Sequence, residues 1–146
     1  LSIISNSGHN FRFWRNSLTS PVVADSLGWS LERIGLFERR MVKARYLSHG
    51  EKKQLEVGMA LSGKPTLLML DEPMAGMGPG GTVEMSKLIL KLRESMTILL
   101  VEHDMEVVFA LADTITVLVS GETIASGTPQ EIRSNDLVRT AYLGDD

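Results

Sequence analysis

One uninterrupted run, Thr66-Leu67-Leu68-Met69-Leu70, stops abruptly at Asp71-Glu72-Pro73. A run of strand length with no polar alternation predicts a strand buried on both faces, the position of a central strand in a parallel sheet. A parallel neighbour needs a crossover, and the sequence supplies one. Gly76 to Gly81 reads as a glycine-rich turn, and Met85, Leu88, Ile89 and Leu92 then mark one face of a helix ending near Glu94. Thr97 to Val101 is a second apolar run, read as another buried strand, and ends in Glu102-His103-Asp104. Strand, helix, strand predicts a right-handed βαβ unit and places the chain in the α/β class.

The flanking segments carry local signals. From Asp25, apolar positions Leu27, Leu31 and Ile34 recur at helical spacing, with Gly35 as the expected C-terminal cap. Ser48-His49-Gly50-Glu51 has the spacing of a capping box, a hydroxyl three residues before a carboxylate, and predicts a helix to about Ser62. Gly63 is expected in the left-handed position after it, with Pro65 preventing continuation. A helix is predicted around Met105 to Leu111, and a hairpin from Thr114–Val119 and Thr123–Ala125 about Ser120-Gly121-Glu122. Thr128-Pro129-Gln130-Glu131 opens a further helix, and Asn135 to Tyr142 reads as the last. Residues 1–20, rich in Ser, Asn and aromatic side chains without a period, read as an irregular segment.

Composition narrows the function classes. With 18 acidic against 15 basic residues and a net charge of −3, a basic nucleic-acid-binding surface is disfavoured. The absence of cysteine excludes disulfides, thiolate metal sites and cysteine nucleophiles. The longest apolar runs are too short to cross a bilayer, so direct membrane insertion is not expected and a cytoplasmic location is. The chain begins with Leu1, which leads us to expect a longer gene product.

Ligands of open parallel α/β sheets bind beyond the carboxyl ends of strands. Two predicted strands end there in reactive groups, Asp71-Glu72 and His103. Adjacent carboxylates suit a division of labour in nucleotide hydrolysis, with Asp71 holding Mg²⁺ and Glu72 polarising water, while His103 could hydrogen-bond a terminal phosphate. The plain alternative is that the carboxylates stop a strand and the histidine is a surface residue. Ser48 likewise either caps a helix locally or stands beside unpaired amides that favour a phosphate.

Taken in order, Leu47-Ser48-His49-Gly50-Glu51, Leu67 through Pro73, and Val101-Glu102-His103-Asp104 resemble the signature motif, Walker B motif and switch histidine of ABC-type ATPases. The resemblance runs from about Leu31 to the C-terminus. It is greatest to the ATP-binding subunits of branched-chain amino acid and urea-type importers, on Leu55-Glu56, Ala75-Gly76-Met77, Gly127 through Ile132 and Ala141-Tyr142-Leu143-Gly144. It implies a partial P-loop-NTPase-like parallel sheet with flanking helices, a remnant of the helical subdomain and signature helix over 21–62, and the C-terminal part of the ATPase core over 63–146, with its hairpin and helices. It also implies ATP and Mg²⁺ as cofactors, Asp71 as the metal residue, Glu72 as catalytic base and His103 as γ-phosphate sensor. Ser48, His49, Gly50 and Glu51 would then face a nucleotide held by a second ATP-binding subunit, and permease subunits would hold the protein at the inner face of the membrane.

The sequence departs from that pattern in one major respect. No G-x-x-x-x-G-K-[ST] loop is present, since Gly58 through Lys64 is followed by Pro65 and Gly58 lies in a predicted helix rather than after a strand. The only glutamines are Gln54 and Gln130, so the glutamine expected before the helical subdomain is missing, and Gly78 replaces an expected Asp or Asn. The expectation is a C-terminal portion of a transport ATPase, inactive alone, with an open sheet side that invites self-association. The alternatives are a naturally short, non-enzymatic module that docks on a full-length ATPase or membrane subunit, and a fragment of an ABC ATPase without a transport role.

Overall fold

The computed structural model describes residues 21–143. The irregular 1–20 segment and Gly144 lie outside the described residues. The chain divides after Val101 into two compact units.

In the first unit, helix α1 (Pro21–Arg33) leads through two short 3₁₀ turns, Phe37–Arg39 and Ala44–Tyr46, to helix α2 (His49–Leu61). Strand β1 (Leu67–Asp71), helix α3 (Pro79–Arg93) and strand β2 (Thr97–Val101) follow. β1 and β2 pair in parallel, Leu67 with Thr97 through Asp71 with Val101, as the strand, helix, strand pattern requires. Ile34, Leu61, Met85 and Leu92 are almost wholly buried, each contributing about 1.5–3 kcal/mol relative to exposure. α1 and α2 meet closely: a Cβ on Gly58 would stand 2.5 Å from Ile34 Cδ1. Gly58 is thus a helix-packing residue and not part of a phosphate loop.

Three expectations are corrected in this unit. The strands are not buried on both faces: exposure alternates along β1, with Leu67 50% and Met69 68% exposed while Leu68 and Leu70 are buried. On β2, Leu99 and Val101 are exposed as well. An apolar run reports what a strand can bury, whereas burial needs a second layer against each face. Next, Lys64 rather than Gly63 takes the left-handed conformation after α2, at φ 48°. Gly63 N–H instead bonds Ala60 O, which continues the helical winding for another residue. Finally, the glycine-rich turn ends at Gly78, because Pro79 at the first helical position starts α3 and Gly80 and Gly81 lie inside it.

In the second unit, helix α4 (Met105–Leu111) precedes an antiparallel hairpin of β3 (Ile115–Val119) and β4 (Glu122–Gly127). Ser120 and Gly121 both have positive φ, 52° and 82°, the backbone of a two-residue turn whose twist matches the strands. A bulge interrupts the register between Val117 and Leu118. Helix α5 (Pro129–Arg133) and the short α6 (Asp136–Val138), continued by a wider turn over Arg139–Leu143, pack on β4. Ile115, Val117, Ile132 and Val138 form the core, flanked by Phe109 and Ile124. Tyr142, in the last described turn, donates its hydroxyl to Leu118 O at 2.6 Å and so ties that turn to the hairpin.

Candidate nucleotide-facing site

The N-terminus of α2 is built by both halves of the capping box. Glu51 N–H donates to Ser48 Oγ at 3.2 Å, and Ser48 N–H donates to Glu51 Oε2 at 2.7 Å. That leaves the first-turn amides of His49 and Gly50 without intrahelical acceptors, at the positive end of the helix dipole. A Cβ at Gly50 would meet nothing within 4 Å, so there is free space beside this half-buried glycine. The Glu51 carboxyl is held below its ordinary range, first by the Ser48 N–H and then by the Ser48 hydroxyl and Arg39, with burial acting the other way. Arg39, which the sequence reading did not single out, reaches it from the first 3₁₀ turn, Nε to Oε1 at 2.9 Å.

Asp71 closes β1 on its exposed face, opposite Val101, and Glu72 follows directly. Glu72 has φ 43°, the left-handed region that costs a non-glycine residue about 1–2 kcal/mol. Its N–H is anchored to Val101 O at 2.9 Å, so the chain turns sharply at the carboxyl end of the parallel pair. The turn continues with Ala75 N–H on Glu72 O at 3.0 Å and Met77 N–H on Met74 O at 3.0 Å.

The first unit therefore holds Ser48, His49, Gly50, Glu51, Asp71 and Glu72. A contact that the sequence did not announce links the two groups: His49 Nε2 lies 3.3 Å from Ala75 O. His103 belongs to the second unit, its side chain 72% exposed and its Nδ1 4.0 Å from Oε2 of the buried Glu102 side chain. Among the described residues, no group of three or more His, Asp or Glu gathers to hold a metal. Magnesium commonly takes one or two carboxylates and fills its shell with waters and phosphate oxygens. Asp71, an exposed carboxylate at a strand end, fits that donor set. Among the same residues, no helix is long and apolar enough to cross a membrane.

Comparison with known proteins bears on this arrangement. Residues 9–75 match the model of the ABC transporter family, and residues 122–146 match that of the branched-chain amino acid ATP-binding cassette transporter. The chain belongs to the ABC transporter ATP-binding family, of the branched-chain amino acid type. It is 46% identical over 117 residues to the high-affinity branched-chain amino acid transport ATP-binding protein LivG of Salmonella typhimurium, covering 79% of this chain and 46% of LivG. To BraF of Pseudomonas aeruginosa, named for the same transport, it is 42% identical over 117 residues, with the same coverage of 79% and 46%. The crystal structure of MJ1267, an ATP-binding cassette of an ABC transporter in its ADP conformation, superposes with a TM-score of 0.78 at 27% identity, covering 99% of this chain and 61% of that one. The chain spans about half the length of the curated relatives it matches. The family match begins at residue 9, upstream of the Leu31 from which motifs alone carried the resemblance.

Proposed function

We propose that the chain is the C-terminal portion of an ABC transporter ATP-binding subunit whose whole form couples ATP hydrolysis to import of amino acids. The observation that carries this reading is the pair of carboxylates at the carboxyl end of two parallel strands, with Glu72 held in a left-handed turn by Val101 O. Strain of this kind persists where surrounding structure fixes it, and functional sites are where it concentrates. By the family resemblance, Asp71 would hold Mg²⁺, which would offset phosphate charge, Glu72 would polarise the attacking water, and His103 would hydrogen-bond the γ-phosphate. Ser48 and Gly50 face the γ-phosphate of a nucleotide bound to a second ATP-binding subunit. Permease subunits anchor the assembly at the cytoplasmic face of the membrane, and the segment from Asp25 to Leu36 belongs to the subdomain that abuts them.

The 146 residues contain no Walker A loop, and hence no lysine and amide cradle for the β- and γ-phosphates. By itself the chain binds Mg·ATP weakly and does not turn it over. Calorimetric titration tests this, and saturable micromolar binding would overturn it. Mixing the chain with a full-length relative separates the portion from a docking module. A change in ATPase rate that Ser48→Arg abolishes supports the module, and no change at high excess supports the portion.

A further inference from the structure

We propose that His49 is a positioning residue, a strut that fixes the turn after Glu72 against the first turn of α2. The acceptor at 3.3 Å is a carbonyl oxygen, Ala75 O, which has no proton to give, so Nε2 carries the hydrogen and donates it. The gripped carbonyl belongs to the turn that Ala75 N–H closes onto Glu72 O at 3.0 Å. The neighbouring residue is shaped to the ring. Gly76 has φ 73°, and a Cβ there would stand 3.2 Å from His49 Nε2, so glycine serves both the turn and the approach of the imidazole. The two partners are 26 positions apart in the chain, so the bond joins elements that no local signal connects.

The consequence is mechanical. With the strut in place, the open amides of α2 and the turn leaving the Asp71-Glu72 strand end shift together. On the reading proposed above, these two groups serve nucleotides in opposite half-sites, and His49 transmits movement between them inside one chain. The ring of His49 is then occupied by Ala75 rather than by a phosphate. Gly78, which has no side chain to offer such coupling, sits just beyond the gripped turn.

Amide hydrogen exchange on the whole 146-residue chain tests the strut without nucleotide, so its outcome is independent of the ATPase reading. In His49→Ala, exchange at Ala75 and Met77 is expected to quicken about fivefold, the change in opening equilibrium that one ordinary net hydrogen bond produces. The buried positions Leu61 and Leu92 are expected to hold their rates. His49→Gln, whose terminal amide nitrogen reaches about where Nε2 stands, is expected to restore most of the protection. Unchanged exchange in His49→Ala, equal quickening throughout α2 and α3, or a glutamine no better than alanine would each overturn the proposal.

Discussion

Arg39 Nε stands 2.9 Å from one carboxylate oxygen of Glu51, while the other oxygen accepts the Ser48 backbone N–H at 2.7 Å. One side chain thus closes the capping box and meets a cation from a separate turn. The second unit repeats the capping half of this arrangement, with Thr128 N–H on Glu131 Oε2 at 2.7 Å. Both carboxyls are held below their ordinary range, and in both the cap-residue backbone N–H is the leading cause. A folded pKa below the unfolded one means the stabilisation is full above the ordinary glutamate value, about 4.3. It is lost as pH falls through the lower folded value. Carboxyl NMR titration is expected to give both midpoints below the ordinary value. Arg39→Ala should raise the Glu51 midpoint only part of the way, because the Ser48 N–H remains. A Glu51 midpoint at or above the ordinary value would refute this account.

Glu72 and Lys64 are both left-handed, at φ 43° and 48°, yet only Glu72 stands where a catalytic carboxylate is proposed. Replacing either with glycine removes the steric cost of that backbone, offset in part by the greater freedom of the unfolded chain. Each variant is expected to gain up to about 1 kcal/mol in urea unfolding. Glu72→Gly introduced into a full-length relative is expected to abolish turnover, whereas Lys64→Gly is expected to preserve it. Stability lost in Glu72→Gly would show that the side chain, not the strain, dominates at this turn.

What the sequence made legible was local. The two capping boxes, the Ser120-Gly121 turn and the Met105–Leu111 helix are written in residues one to four positions apart, and each stands where that spacing puts it. The parallel pairing of β1 with β2 was legible from the order of apolar runs. Exposure of Met69 and Leu99 was not, because hydrophobicity carries no record of which layers lie against a strand. In the site, the candidate carboxylates were legible as a strand end, but the left-handed turn at Glu72 was hidden, since glutamate is not a residue that announces it. The grip of His49 on Ala75 and the clamp of Arg39 on Glu51 join distant positions, and only the packing of the elements creates them.

The closeness of α1 and α2 has an energetic signature. In Gly58→Ala the new methyl would collide with Ile34 Cδ1 at 2.5 Å, and Ile34 is only 2% exposed, with little room to yield. Overpacking of this sort costs about 1–3 kcal/mol, against a helix-propensity gain of up to about 1 kcal/mol for alanine over glycine. Ile34→Val, which removes the colliding carbon, costs about 0.5–1.5 kcal/mol alone. The double variant is expected to be more stable than the sum of the two single losses, by about 1 kcal/mol or more. Strict additivity in chemical denaturation would place the strain elsewhere.

The exposed face of the parallel pair is largely apolar. Met69 and Leu99 are register neighbours, 68% and 49% exposed, and Leu67 and Val101 extend the same apolar surface to 50% and 53%. Among the described residues β1 and β2 pair only with each other, so each presents an outer edge as well as this face. Apolar side chains beside unpaired strand edges favour association with another such surface. Sedimentation of the chain is expected to show a mass that rises with concentration. Met69→Lys with Leu99→Glu places opposite charges side by side on the face, which preserves the pairing while making a second apolar surface a poor match. That variant is expected to keep its circular dichroism and stay monomeric over the same range. Equal sedimentation of the two proteins at every concentration would show that the face is not what brings chains together.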